Sequence, residues 1–207
     1  MYTICDMRDT TQKDKVIELL SGGQVMRSSE LTQFGIDRKI IQRMENDGEI
    51  IRLSRGLYSL PNAAPSTHYS LLEAQKHIPN GVICLLSALV YHDIGTQNPH
   101  LVWMAIPHRS RTPKIENLPV KIVRMTDEPY ERGKTEVKIE GGILKIYDIP
   151  KTVADCFKFR NKIGIDVAIE ALKDVIGHKR ATVDELLKAA DVCRVRKIIT
   201  PYLETLL

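Results

Sequence analysis

The stretch 24–61, QVMRSSELTQFGIDRKIIQRMENDGEIIRLSRGLYSLP, constrains the fold of this 207-residue chain more than any other segment. Two short helical patterns separated by a glycine are followed at once by two strand-like runs and a tight turn. Ser28 or Ser29 can cap the first helix, because a serine hydroxyl accepts from a free backbone N–H of the opening turn. That helix is expected to run to about residue 34 and stop at Gly35, which enters a left-handed backbone at no steric cost. Asp37 then caps a second helix that ends at Gly48. Ile36, Ile40, Ile41 and Met44 recur at helical spacing and predict a buried stripe, leaving Arg38, Lys39, Gln42 and Arg43 on the other side. Residues 49–53 and 57–60 read as strands joined through Ser54-Arg55-Gly56, with glycine at the strained position. Helix, tight turn, helix and hairpin is the order of a winged helix-turn-helix. Its second helix can enter a major groove and its hairpin can touch the neighbouring backbone.

Charge does not by itself point to a nucleic acid. The net charge is +4, yet residues 1–60 hold nine basic and nine acidic side chains, so the whole excess lies in 61–207. The case for DNA therefore rests on where the charges sit. Arg38, Lys39, Gln42 and Arg43 share the exposed helix face, Arg52 and Arg55 lie on the hairpin, and Arg27 and Gln33 flank the first helix. Glu45, Asp47 and Glu49 cluster at the joint between helix and hairpin. Aromatic residues are only 5% of the chain, which argues against stacking on single-stranded bases as the main binding mode. Arginine reads guanine edges and glutamine reads adenine edges in the major groove, so DNA-binding roles fall to Arg27, Arg38, Lys39, Gln42, Arg43, Arg52 and Arg55.

The rest of the chain reads as a second domain. Residues 1–10 look like a frayed leader, and Thr11 can cap a supporting helix to Leu20, closed by Gly22-Gly23. Residues 62–66, NAAPS, form a proline-bearing linker. A helix is expected over 67–77, starting at Thr67 or Ser70. Strands are expected over 82–86, 101–106 and 120–125, with a short helix capped by Ser87 and a basic loop at His108-Arg109-Ser110-Arg111. A hairpin over 137–139 and 143–147 turns at Gly141-Gly142. From Pro150 the pattern is helical: Val153, Ala154 and Phe157 mark one buried side, and Ile165, Ile169, Leu172 and Ile176 mark the next. Thr182 and Glu185 form a capping box, and a last helix carries Val195, Ile198, Ile199, Tyr202 and Leu206. The fold class is α+β. A winged helix-turn-helix domain at 1–61 is followed by a mixed α/β domain at 66–207 with a helical C-terminal end.

Three segments carry a family resemblance. GIDRKIIQRMENDGEIIRLSRGLYSLP, with RGLYSLP at 55–61 the most distinctive piece, is similar to the winged-helix end of the AbiEi antitoxins, transcriptional regulators found beside phage-defence toxins. SALVYHDIG, from Ser87, resembles a second element of that family, and IPKTVADCFKFR, at 149–160, resembles its helix built on a proline, a basic residue, a threonine and an aspartate. The family often has a serine before that proline; here Ile149 stands there, and the cap passes to Asp148. The resemblance implies a type IV toxin–antitoxin pair of an abortive-infection system. The N-terminal domain would bind inverted repeats in its own promoter as double-stranded DNA and repress transcription. The C-terminal domain would counteract a nucleotidyltransferase-like toxin, and Thr152 and Asp155 would lie on the face that opposes it. The alternative is a winged-helix regulator whose second domain senses a small ligand.

Other chemistry has less support. Glu136-Val137-Lys138 with Asp127 upstream has the residue types of a metal nuclease, but alternating charge is what any half-exposed strand shows. Cys5, Cys84, Cys156 and Cys193 form no CxxC pair, and the six histidines lack ligand spacing. Cysteine in apolar surroundings is usually a small buried hydrophobe, and His92 and His108 read as packing or surface residues. No P-loop or GxGxxG is present. The chain is expected to need no cofactor or metal, to catalyse nothing, and to be a cytoplasmic protein with reduced thiols. Its longest apolar run, near 82–90, is far too short to cross a bilayer.

Overall fold

The computed structural model describes residues 4–21, 24–54, 56–61, 68–112, 115, 118–139 and 142–206, with backbone alone at 4–10, 54 and 69. The chain divides into two compact units: residues 1–76 with 138–143, and residues 77–137 with 144–207.

The first unit contains α1 (Ile4–Leu20), β1 (Met26–Arg27), α2 (Ser28–Gln33), α3 (Arg38–Asn46), β2 (Ile51–Ser54), β3 (Leu57–Ser59) and most of α4 (Tyr69–His77). Its sheet has the order β1-β3-β2, antiparallel throughout. One apolar cluster holds it together: Val16 and Leu20 of α1, Leu31 of α2, the predicted stripe Ile36, Ile40, Ile41 and Met44, and Ile50 and Tyr58 of the hairpin. Gly35 at φ +84° ends the α2 region, and Gly48 at φ +73° ends α3, both in the left-handed backbone that glycine permits.

Two expectations fail here. The leader is helical from Ile4, because residues 4–10 contain no glycine or proline to stop α1 from extending. The caps at Ser28 and Ser29 are not used either, since both serines lie inside α2. Pairing of β1 with β3 draws Arg27 into extended backbone, and the hairpin serves the helix start instead. Ser28 N donates to Gly56 O at 2.9 Å, and Arg27 N donates to Glu30 Oε2 at 2.7 Å.

The second unit holds most of a five-stranded sheet of order β6-β5-β4-β8-β7. Its strands are β4 (Val82–Ile83), β5 (Val102–Pro107), β6 (Val120–Met125), β7 (Lys134–Ile139) and β8 (Gly142–Tyr147). β4 is antiparallel to β5 and parallel to β8, and β5 is parallel to β6. The helices are α5 (Leu85–Tyr91), α6 (Asp127–Glu131), α7 (Ile149–Lys158), α8 (Arg160–Ile163), α9 (Ile165–Gly177), α10 (Val183–Cys193) and α11 (Arg196–Glu204). α7 is central: α5, α9, α10 and α11 all lie against it. Seven of its ten residues, 151–157, are buried.

Several local expectations change. The strand over 82–86 shortens to Val82–Ile83, because Leu85 takes φ +47° and opens α5. Ser87 is therefore not a cap; it is buried in α5, and its Oγ accepts from Trp103 N at 2.9 Å. Asp127, upstream of Glu136, lies in the first turn of α6. On α9 the buried face is Val167, Ala168, Ala171, Leu172 and Val175, while Ile165 is exposed and Ile169 and Ile176 are half-buried. The two alanines let α9 approach α7 closely, and the isoleucines cover the rim. Both the Thr182–Glu185 capping box and the Asp148 cap on Lys151 N form as expected.

Candidate nucleic-acid interface

α3 separates its side chains by chemistry. Ile40, Ile41 and Met44 face the core, and Arg38, Lys39, Gln42 and Arg43 are exposed. Asp37 fixes the start of the helix by accepting from Lys39 N at 2.9 Å, which satisfies one of the free N–H groups of the first turn. α1 secures the same corner from behind. Gln12 Oε1 accepts from Asp37 N at 2.9 Å, and Lys15 Nζ donates to Phe34 O at 2.7 Å. The turn between α2 and α3 is thus pinned by α1, and that sets the angle at which the basic face is shown.

The acidic residues of the joint are all ion-paired. Lys13 of α1 reaches Glu49 at 2.8 Å and Asp47 at 3.4 Å. Glu45, on the last turn of α3, accepts from Tyr58 Oη at 3.3 Å and lies 3.9 Å from Arg52 Nη1. Burial, and then the negative charge of Glu45, raise the Tyr58 phenol above its ordinary range, so it remains a donor at neutral pH.

Of the residues expected to contact DNA, the fold brings Arg38, Lys39, Gln42 and Arg43 onto one helix face. Arg52 sits on the adjoining strand, exposed but tethered to Glu45. Arg27 stands half-buried at the entry to α2, paired across the sheet with Leu57. Gln33 is exposed at the end of α2. Arg55 lies outside the described residues, between Ser54 and a Gly56 with φ +73°.

Thr152 and Asp155 occupy a different environment. Both are fully buried in the second unit. Thr152 Oγ1 donates to Tyr147 O at 3.3 Å, and Asp155 accepts from Cys193 Sγ at 3.2 Å and pairs with Lys151 Nζ. The Lys151 ammonium lies 4.1 Å from the centre of the Tyr147 ring. His92 also binds the Tyr147 carbonyl, through Nε2 at 2.7 Å. A carbonyl can only accept, so His92 carries its proton on Nε2. The segments resembling the family's second and third elements therefore meet at Tyr147: His92 from one, Thr152 and Lys151 from the other. Burial raises the thiols of Cys84 and Cys156, and it takes Cys193 to about 12, so all three remain protonated at neutral pH.

Sequence reasoning placed Glu45 at the joint but not its partners, and gave no role to Lys13 or Lys151. The first two are ordinary charged residues on helix faces, and only the fold shows what they meet. Lys151 carried a signal, the four-residue spacing to Asp155 within an otherwise apolar run.

The described residues contain no group of three or more His, Cys, Asp or Glu placed to hold a metal ion. Among them, no helix is long and apolar enough to cross a membrane.

The order of helices and hairpin in the first unit, with an exposed basic second helix, is that of a winged helix-turn-helix. Residues 14–61 match the family model described as "Transcriptional regulator, AbiEi antitoxin", the family that the sequence resembles there. The match covers α1 from Asp14 through the hairpin. No curated protein matches the chain. A solved structure, the RV2827C protein from Mycobacterium tuberculosis, is similar in fold, with a TM-score of 0.53 at 12% identity, over 94% of this chain and 81% of that one.

Proposed function

We propose that this chain is the antitoxin of a type IV toxin–antitoxin pair in an abortive-infection, phage-defence system, and that it represses its own operon. The observation that carries this reading is the basic face Arg38, Lys39, Gln42 and Arg43 on α3, within a segment matching an antitoxin-regulator model. α3 enters the major groove of double-stranded promoter DNA at inverted repeats. Arg38, Gln42 and Arg43 read base edges there, each good pair contributing about 1–3 kcal/mol of discrimination. Lys39, Arg27, Arg52 and Arg55 contact phosphates, fixing the register without reading sequence.

Residues 1–61 carry this task, and residues 66–207 carry the second, counteracting a nucleotidyltransferase-like toxin in the cytoplasm. Thr152 and Asp155, being buried, serve antitoxicity by positioning α7 rather than by touching the toxin. The role needs no cofactor. The test is a gel-shift titration of the full chain against DNA upstream of its own gene, with a promoter reporter alongside. A retarded complex that resists competitor DNA, and a repressed reporter, are expected. Equal affinity for unrelated DNA and an unrepressed reporter would overturn the reading.

A further inference from the structure

Glu45 stands where the DNA-reading helix meets the wing. Arg52 and Tyr58 are direct cross-strand partners in the β2–β3 ladder, so their side chains rise side by side on one face of the hairpin. Both converge on one carboxylate. Tyr58 Oη donates to Glu45 Oε2 at 3.3 Å, and Arg52 Nη1 lies 3.9 Å from Glu45 Oε1. The neighbouring acids Asp47 and Glu49 are occupied by Lys13 on the α1 side. Glu45 is thus the acidic residue of the joint that faces the wing.

We propose that Glu45 is a positioning residue that restrains DNA affinity by competing with phosphate for Arg52. This deepens the DNA-binding reading and rests on it. A carboxylate beside an exposed guanidinium competes with any phosphate for the same donors. Arg52 side-chain exposure is 45% and that of Glu45 is 28%, so the pair is open enough to exchange partners. Contact with DNA through Arg52 then requires leaving Glu45. That penalty is the same on every sequence. It therefore lowers affinity for the upstream and the random duplex alike and leaves the ratio between them unchanged. Tyr58, braced on the other oxygen, keeps the carboxylate in place through the exchange.

The experiment uses the full chain and four proteins: unaltered, Glu45→Gln, Arg52→Ala, and the double variant. Glutamine retains an acceptor for Tyr58, and thermal unfolding checks that each variant folds. Fluorescence anisotropy measures binding to a duplex from upstream of the chain's own gene and to a random-sequence duplex of equal length, between about 50 and 200 mM salt. Glu45→Gln should bind the random duplex about two- to fivefold tighter, with a salt slope steeper by about 0.9, one additional phosphate contact. The upstream duplex should gain by a similar factor, so the ratio between the two stays the same. Arg52→Ala should be shallower than the unaltered protein, and the double variant should match Arg52→Ala. An unchanged slope in Glu45→Gln would overturn the inference. So would an equal steepening with and without Arg52, which is what loss of a repelling charge alone would give. Absence of binding by the unaltered protein to either duplex would overturn the DNA-binding reading itself, and this inference with it.

Discussion

Lys151 and Asp155 form an ion pair one helical turn apart on α7, with side chains only 2% and 0% exposed. Two charges withdrawn from water this completely depend on each other. Burial raises the Asp155 carboxyl, and the Lys151 ammonium and Cys193 thiol pull it back. Asp155→Ala leaves an unpaired ammonium in the core and should cost about 3–5 kcal/mol. Replacing both, as Lys151→Met with Asp155→Leu, should recover most of that loss. Urea unfolding of the three proteins measures it; a double variant no better than Asp155→Ala would show that the pair is not the cause.

Stability should fall on mild acidification because of His92. Burial, aided by Arg180, lowers its pKa below the usual 6.5, against the opposing pull of the Tyr147 carbonyl and Asp148. The unfolded chain then binds the proton more readily than the folded one. This group's contribution to stability is complete above about pH 6.5 and declines as pH falls below it. The melting temperature should therefore drop between about pH 7 and 5. His92→Gln, which keeps a donor for Tyr147 but does not titrate, should show a smaller drop. Parallel melting curves for both proteins would contradict this.

Gly133 closes the same region from the other side. It takes φ +73°, and a Cβ built there would lie 2.6 Å from Lys151 Cβ and 2.9 Å from its Cγ. Gly133→Ala meets both a strained backbone and the stem of a buried lysine, and should cost about 1–3 kcal/mol. Chemical denaturation gives the number directly. A cost near zero would mean that Lys151 can shift.

How much of this was legible in the sequence depends on the range of the forces involved. α3 and its two faces follow from local periodicity and from Asp37 and Gly48, so that part of the candidate interface could be read directly. Asp148 and the Thr182–Glu185 box are likewise local. The Ser28 and Ser87 caps were misread because distant strands supplied the partners: β3 positions Arg27 and Ser28, and Trp103 of β5 takes the Ser87 hydroxyl. The α9 stripe was misplaced because isoleucine spacing suggested the buried face, while α7 selects the side with alanines. Arg52 looked like an ordinary basic residue of the wing, and its tie to Glu45 depends on strand register.

On the proposed DNA-binding reading, substitutions on the first unit should separate into two kinds. Arg38→Ala and Arg43→Ala should weaken binding to the upstream promoter DNA by about 1–3 kcal/mol each and relax base preference. Arg55→Ala should weaken binding to all sequences alike and reduce the salt slope by about 1. Titrations against the promoter and against single-base variants of it distinguish the two. Equal losses on every sequence for Arg38→Ala and Arg43→Ala would place α3 on the backbone rather than in the groove.

Two tasks carried by separate regions of one chain is the central claim, and one growth measurement tests it. Cells express the toxin-like gene adjacent to this one, together with either the unaltered chain or the Arg38→Ala/Arg43→Ala variant, at matched abundance. The variant should fail to repress the promoter reporter yet restore growth as fully as the unaltered chain, because the proposed antitoxin task is assigned to residues 66–207. Loss of rescue together with loss of repression, in a variant that is folded and equally abundant, would contradict the claim.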